Sequence, residues 1–183
     1  IGTLVPRKNA HGLVAAMAEL KRRGDVLPRL TWLGKTDDTA NGARYRAQLD
    51  ESIAAAGIAD HWLWADECTD VERVLGEADL LVHASFREGL SNVICEALAA
   101  GCPVLAADVG DNRLLIGADE RGALFDPTDA AGLADCLARF QRRSVDDRSK
   151  LRQSARSFAE RELGIDRCVD RYETLFESLG RVK

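Results

Sequence analysis

The amino-acid sequence predicts an α/β fold: a doubly wound parallel sheet of about six strands, with helices on both faces and a helical C-terminal end. Short apolar and β-branched runs alternate along the chain with longer amphipathic stretches. Strand followed by helix, repeated, is typical of parallel strands joined by right-handed crossovers. From residue 129 to residue 179 the pattern is helical throughout. The 183 residues are interpreted as one domain.

Each predicted element has a local signal. The strands are short apolar or β-branched runs: residues 1–5, 29–33, 62–65, 79–83, 103–107 and 123–125. Helical periodicity lies between them, at residues 10–23, 43–56, 70–77, 91–100 and 112–116. Gly101 and Pro103 end the helix at 91–100. Residues 129–179 form two or three further helices.

Composition excludes several classes of protein. The net charge is −5 and no dense Lys/Arg cluster is present, so no nucleic-acid partner is expected. No apolar run approaches the ~18 residues of a transmembrane span. The five cysteines have no CxxC spacing, which favours structural thiols, a reducing cytoplasmic location and no metal site. The chain opens at Ile1, inside a predicted strand, and we expect it to be a fragment of a longer protein.

Residues 85–104, SFREGLSNVICEALAAGCPV, place a carboxylate within an apolar helix. Because the helix at 91–100 is nearly apolar all round, we expect it to be packed on most sides and Glu96 to be buried. An unpaired buried carboxylate costs several kcal/mol. Either a ligand supplies the partners of Glu96, or the side chain reaches the rim of the helix or pairs with a base.

The loop before this helix lies at the edge of the sheet where such folds bind ligands. It follows the strand at 79–83, and ligands of doubly wound sheets bind outside the carboxyl ends of the strands. Gly89 permits close approach of a ligand, and the N-terminus of the next helix offers free N–H groups to phosphate. Glu88 and Glu96 are acceptor-only side chains, which suit the hydroxyl groups of a sugar or ribose.

The same stretch resembles the signature of retaining GT-B glycosyltransferases of family 4 (glycosyl transferases group 1). The matching residues are Ser85-x-x-Glu88-Gly89 and Glu96-Ala97-x-Ala99-x-Gly101-x-Pro103-Val104. LVPRKN resembles the opening strand and loop of that family with its lysine, WLG its second strand and DVGDN the loop after its fifth strand. The resemblance covers nearly the whole chain. It implies a Rossmann-like C-terminal domain that binds a nucleotide sugar.

The resemblance also implies roles for individual residues. Glu88 would contact hydroxyls of the donor sugar and Glu96 those of the ribose, while Lys8 would neutralise the departing diphosphate. Backbone amides of Gly89, Leu90 and Ser91 would meet that diphosphate. The catalytic residues implied are Glu88 and Lys8; the nucleotide-sugar site as a whole is Gly2, Thr3, Arg7, Lys8, Gly34, Glu88, Gly89, Leu90, Ser91, Asn92 and Glu96.

One position departs from the family pattern. The family has Gly-Arg where this chain has Gly2-Thr3, and that arginine binds diphosphate. Arg7 either substitutes for it, since a guanidinium suits phosphate, or is a solvated loop charge. His83 is interpreted as a strand-end residue, because GLSNV is not the G-x-S-x-G of a serine hydrolase.

The function implied is transfer of a sugar, with retention, from a UDP- or GDP-linked donor to an acceptor, in polysaccharide or glycoconjugate synthesis at the cell surface. No cofactor or metal is expected. The acceptor site would lie on a missing N-terminal domain, through which peripheral membrane contact is possible. Two alternatives stay open: a GT-B nucleotide-sugar epimerase or sugar phosphorylase, and a non-catalytic nucleotide-binding regulatory module.

Overall fold

The computed structural model describes residues 1–180, and this part of the chain contains five strands, all paired in parallel. One sheet has two strands, β1 (Leu30–Leu33) and β2 (Trp62–Ala65). The other has three, in the order β3 (Leu81–His83), β4 (Val104–Ala107) and β5 (Gly122–Phe125). The predicted α/β class with parallel strands is confirmed, but hydrogen bonds define two sheets instead of one.

Eight α-helices are present among the described residues. They are α1 (Ala10–Arg23), α2 (Ala40–Ala56), α3 (Val71–Glu77), α4 (Asn92–Ala99), α5 (Asn112–Ile116), α6 (Ala130–Gln141), α7 (Val145–Glu162) and α8 (Ile165–Gly180). Pro6–Lys8 and Ala59–His61 form single 3₁₀ turns. The predicted helical end is confirmed as three helices. Within residues 1–180, no helix is both long and apolar enough to cross a lipid bilayer.

Helices cover both faces of the sheets, as predicted. Successive residues of β4 alternate between two clusters of buried side chains: Leu105 packs with the cluster built on α1 and α6, and Val104 with the cluster built on α4 and α7. Because neighbouring side chains of a strand point to opposite faces, the two helix pairs lie on opposite sides of β4. The doubly wound arrangement is thus present in the core.

The predicted strand at residues 1–5 is wrong. This segment makes one isolated parallel bridge, between Leu4 and Thr36. Its backbone bonds, Gly2 N to Leu33 O and Leu4 N to Lys35 O, are both 2.8 Å long and lie at and beyond the carboxyl end of β1. Gly2 has φ +124°, outside the β region, so a regular ladder cannot form there.

Gly34 holds this first segment against β1. Its backbone has φ +138°, and its N–H donates to the Ala65 carbonyl at 2.9 Å. A Cβ at this position would lie 2.4 Å from the Gly2 carbonyl oxygen. The close backbone approach therefore requires glycine.

We predict that Gly34→Ala lowers the free energy of unfolding by about 3 kcal/mol, through backbone strain and the clash with Gly2. Gly24→Ala is the matched control: Gly24 has φ +73° but open space around the added methyl group, so about 1 kcal/mol is expected. Urea denaturation measures both values. Equal losses in the two variants would contradict a steric requirement at Gly34.

Candidate functional site

The candidate site lies where two connecting segments meet at the carboxyl ends of the strands. The 3₁₀ turn Pro6–Lys8 follows the first segment, and residues 84–91 follow β3. A hydrogen bond from Phe86 N to Arg7 O, 2.9 Å long, joins them. This is the edge at which the sequence places ligand-binding loops.

Lys8 and Glu88, the two predicted catalytic residues, are in direct contact. Lys8 Nζ donates to Glu88 Oε1 at 2.7 Å, and the two side chains are only 17% and 14% exposed. Asn9 fixes the end of the turn that carries Lys8: it has φ 56° and caps α1 by accepting from Gly12 N. Its side chain also donates to the Pro127 carbonyl at 2.8 Å. Lys8 is thus held by the start of α1.

Two further bases approach the same oxygen of Glu88. Arg7 Nη1 and His83 Nε2 each lie 3.5 Å from Oε1. Arg7 is 60% exposed, so its pairing with Glu88 contributes little to stability. Burial by itself would raise the pKa of Glu88, but the hydrogen bond and charge of Lys8 lower it below the usual value. Glu88 is therefore ionised at neutral pH.

His83 is the neutral member of this group. The side chain is 4% exposed, and burial, with a contribution from the charge of Lys8, lowers its pKa to about 4, although the charge of Glu88 opposes the shift. Arg7 and Lys8 are then two positive charges against the single carboxylate of Glu88. The cluster has one positive charge in excess and favours an anion.

His83 also contacts the start of α4. Its Nε2 lies 3.2 Å from Ser91 Oγ, and the Ser91 side chain makes no capping hydrogen bond to the helix. The first-turn N–H groups of α4 therefore lack a side-chain acceptor and are free to meet an anion. Sequence reasoning missed this contact of His83; its only signal is the place of the residue at the carboxyl end of β3.

The glycine pair Gly2 and Gly34 lies next to Lys8. A Cβ on Gly2 would be 3.9 Å from Lys8 Cε, and Gly34 packs on the Gly2 carbonyl. Thr3 is half-buried and makes no side-chain hydrogen bond within residues 1–180. The structure thus places Gly2 beside Lys8, Gly34 against Gly2, and Arg7 beside Glu88. The roles of these residues toward a ligand stay predictions.

The expectation that Glu96 is buried is wrong. Helix α4 buries Ile94, Ala97 and Leu98, but Glu96 and Asn92, four residues apart on one face, are exposed. The Glu96 carboxylate makes no hydrogen bond or ion pair with any described residue. Because water solvates it, no ligand is needed to stabilise this charge. The exposure of Glu96 does not test its predicted contact with ribose, which stays a prediction.

The remaining loop residues lie at the rim of the site. Leu90 is 59% exposed. Gly89 accepts a long hydrogen bond, 3.5 Å, from Asp111 N, which joins the loop after β4 to the loop after β3. In the described part of the chain, no three His, Cys, Asp or Glu side chains converge on one point. The two cations and the uncapped helix start beside the Glu88 carboxylate favour an anion at this place.

Comparison with protein families gives one match over most of the chain. Residues 1–158 match the family described as "Glycosyl transferases group 1". The lipopolysaccharide core biosynthesis mannosyltransferase LpsB of Rhizobium meliloti (strain 1021) is 32% identical over 142 residues, which are 75% of this chain and 39% of that protein. The D-inositol 3-phosphate glycosyltransferase of Nocardia farcinica is 32% identical over 84% of this chain and 33% of its own length. The chain spans less than half of these relatives.

Solved structures share the fold. Anabaena Alr3699/HepE in complex with UDP has a TM-score of 0.82 at 22% identity, over 99% of this chain and 48% of that one. The C-terminal domain of the glycosyl transferase group 1 family protein LpcC from Francisella tularensis has a TM-score of 0.74 at 23% identity, over 90% of this chain and 84% of that one. These structures therefore have the same fold as this chain.

We predict that His83 makes stability fall in mild acid. Its pKa is about 6.5 in the unfolded chain and about 4 in the folded one. The unfolded state therefore takes up the proton first. The stability that neutral His83 contributes is fully present above about pH 6.5 and is lost as the pH drops to about 4, by up to about 3 kcal/mol.

Denaturant titrations across that range measure the slope. His83→Leu should make the slope shallower, whereas His11→Gln, at an exposed position of α1, should leave it unchanged. The same slope for the wild-type chain and His83→Leu would contradict the assignment.

Proposed function

The chain belongs to the glycosyl transferases group 1 family, of GT-B fold, and from that premise we propose that it binds a nucleoside diphosphate sugar as the donor domain of a glycosyltransferase. The observation that carries the proposal is the Lys8–Glu88 pair beside the uncapped start of α4. The UDP bound to HepE, a structure of the same fold, supports a nucleotide as the ligand.

In this proposal, different groups of the site bind the diphosphate and the sugar. Lys8 and the first-turn N–H groups of α4 meet the diphosphate, with Arg7 at the exposed edge in place of the arginine absent at Thr3. Glu88 accepts from hydroxyl groups of the sugar. Since a lysine ammonium has three donors, Lys8 can keep its bond to Glu88 Oε1 and still donate to a phosphate oxygen.

The proposed chemistry is electrostatic. As the bond between sugar and diphosphate breaks, negative charge grows on the leaving group. A fixed lysine and oriented amides stabilise this charge without reorganising. The proposal assigns this charge compensation to the chain itself, with no metal or other cofactor, and assigns retention of configuration as in family 4. Neutral His83 keeps Ser91 away from the helix amides, so that they stay available.

Other parts of the proposal concern the whole protein. Because the chain covers 39% and 33% of two relatives, we place the acceptor site on a further, N-terminal domain, which is also where any peripheral membrane contact would lie. LpsB, a lipopolysaccharide core mannosyltransferase, supports a role in cell-surface glycoconjugate synthesis with a UDP- or GDP-linked hexose. All five cysteines are free thiols, which supports a cytoplasmic location.

We predict that Lys8→Ala weakens binding of UDP or GDP about 10- to 100-fold and leaves binding of uridine or guanosine nearly unchanged. The reason is that Lys8 meets the diphosphate and not the base. Isothermal titration calorimetry measures both affinities. Lys150→Ala on α7, where the side chain is 77% exposed, is the control. Equal losses for nucleotide and nucleoside would mean that Lys8 only supports the loop; absence of nucleotide binding by the unchanged chain would refute the proposal.

We predict that Glu96 recognises the ribose of the same ligand. The unchanged chain should prefer UDP over 2′-deoxy-UDP, and Glu96→Gln should bind UDP about tenfold more weakly and lose most of that preference. Glu51→Gln, an exposed carboxylate on α2, serves as the control. A preference for the ribonucleotide that is unaffected by Glu96→Gln would remove this residue from the site.

A further inference from the structure

Helix α4 begins at a serine that does not cap it. Serine is among the best N-cap residues, because its hydroxyl oxygen accepts from an N–H group of the first turn. Ser144 does this for α7, where Oγ accepts from Asp147 N at 3.1 Å. Ser91 has the extended backbone of an N-cap, but its side chain makes no such bond to α4. Another group of the protein therefore holds this hydroxyl.

That group is the imidazole of His83. Its Nε2 lies 3.2 Å from Ser91 Oγ, and both residues are only 4% exposed. His83 is the last residue of β3 and is paired with Ala106 of β4, so its backbone is anchored in the sheet. The side chain that begins α4 is thus tied to the sheet through His83, across the loop that carries Glu88.

The surroundings of the imidazole assign its hydrogen to Nε2. His83 Nδ1 is buried and has no hydrogen-bond partner among the described residues, and a buried N–H group without an acceptor is costly. Nε2 faces two oxygen atoms, Ser91 Oγ and, at 3.5 Å, Glu88 Oε1. Since a neutral imidazole has one N–H group, His83 donates through Nε2 and Ser91 Oγ accepts.

The N–H group that a serine cap would occupy stays open. Val93 N donates to no acceptor in the part of the chain that the structure describes. Released from His83, the Ser91 hydroxyl would accept from Val93 or Ile94, as capping serines do. A phosphate oxygen needs the same donors at the start of a helix. The hydroxyl and the phosphate would then compete.

We propose that His83 is a positioning residue of the diphosphate site: its Nε2–H holds the Ser91 hydroxyl, so that the first turn of α4 stays open to the diphosphate. The inference rests on the proposed nucleotide-sugar function of this site. His83 acts through Ser91 and does not itself contact the nucleotide. Removal of His83 therefore weakens nucleotide binding only while Ser91 has a hydroxyl that can take the free N–H group.

Titration calorimetry with UDP and with GDP tests this coupling in the unchanged chain, His83→Leu, Ser91→Ala and the double variant. His83→Leu should weaken binding of the nucleotide about three- to thirtyfold, the range of a serine cap. Ser91→Ala should bind within about twofold of the unchanged chain. The double variant should bind like Ser91→Ala, because no hydroxyl is left to cap α4. Ser144→Ala, which removes the cap of α7, is the control and should leave the affinity unchanged.

Equal weakening in His83→Leu and the double variant would overturn this inference alone, because the loss would not pass through Ser91. If the unchanged chain binds neither nucleotide, the proposed function fails as well.

Two polar variants give a second readout if His83→Leu does not fold. Glutamine at position 83 carries its amide N–H groups near the place of Nε2, and asparagine carries them near the place of Nδ1. His83→Gln should therefore keep the nucleotide affinity of the unchanged chain, and His83→Asn should lose it about as His83→Leu does. Equal affinities of these two variants would overturn the inference.

Discussion

The contact between Lys8 and Glu88 is the interaction on which the rest of the site depends. It joins side chains 80 positions apart at 2.7 Å, and both must come from the carboxyl edge of the fold. Lys8 is held there by the 3₁₀ turn and by the Asn9 cap of α1, and α1 in turn packs on α6. Glu88 is held by the loop that leaves β3. Because both side chains are mostly buried, neither charge tolerates loss of its partner without cost.

This pairing also determines the charge of the site. One carboxylate is shared by a buried lysine, an exposed arginine and a histidine that burial keeps neutral. The positive charges of Lys8 and Arg7 together exceed the single negative charge of Glu88 by one. The same histidine engages Ser91, and the start of α4 is left without its side-chain cap. Two independent features, an excess of positive charge and free helix amides, thus favour an anion at the same place.

Part of this arrangement follows from sequence alone. Alternation of strands and helices places Lys8 and Glu88 at one edge, and their proximity follows from parallel topology. The exposure of Glu96 could not be predicted from the apolar composition of residues 91–100, because composition does not tell which face of the helix neighbouring elements cover. The polar residue Asn92, which is exposed on the same face as Glu96, is the better guide. The strand at 1–5 was wrong because apolar composition reports neither the φ of Gly2 nor the presence of pairing partners. The contact of His83 depends on side-chain direction, which periodicity does not encode.

The first nine residues connect the carboxyl end of β1 to the candidate site. Gly2 packs on Gly34, and Lys8 reaches Glu88. This segment pairs with β1 through two backbone bonds near its carboxyl end, and its only backbone bond to the loop after β3 comes from Phe86 N, among the described residues. Only residues 2–5 and one 3₁₀ turn separate Ile1 from the end of the Lys8 turn. Because this segment is so short, its two backbone bonds beside β1 help to fix where Lys8 meets Glu88.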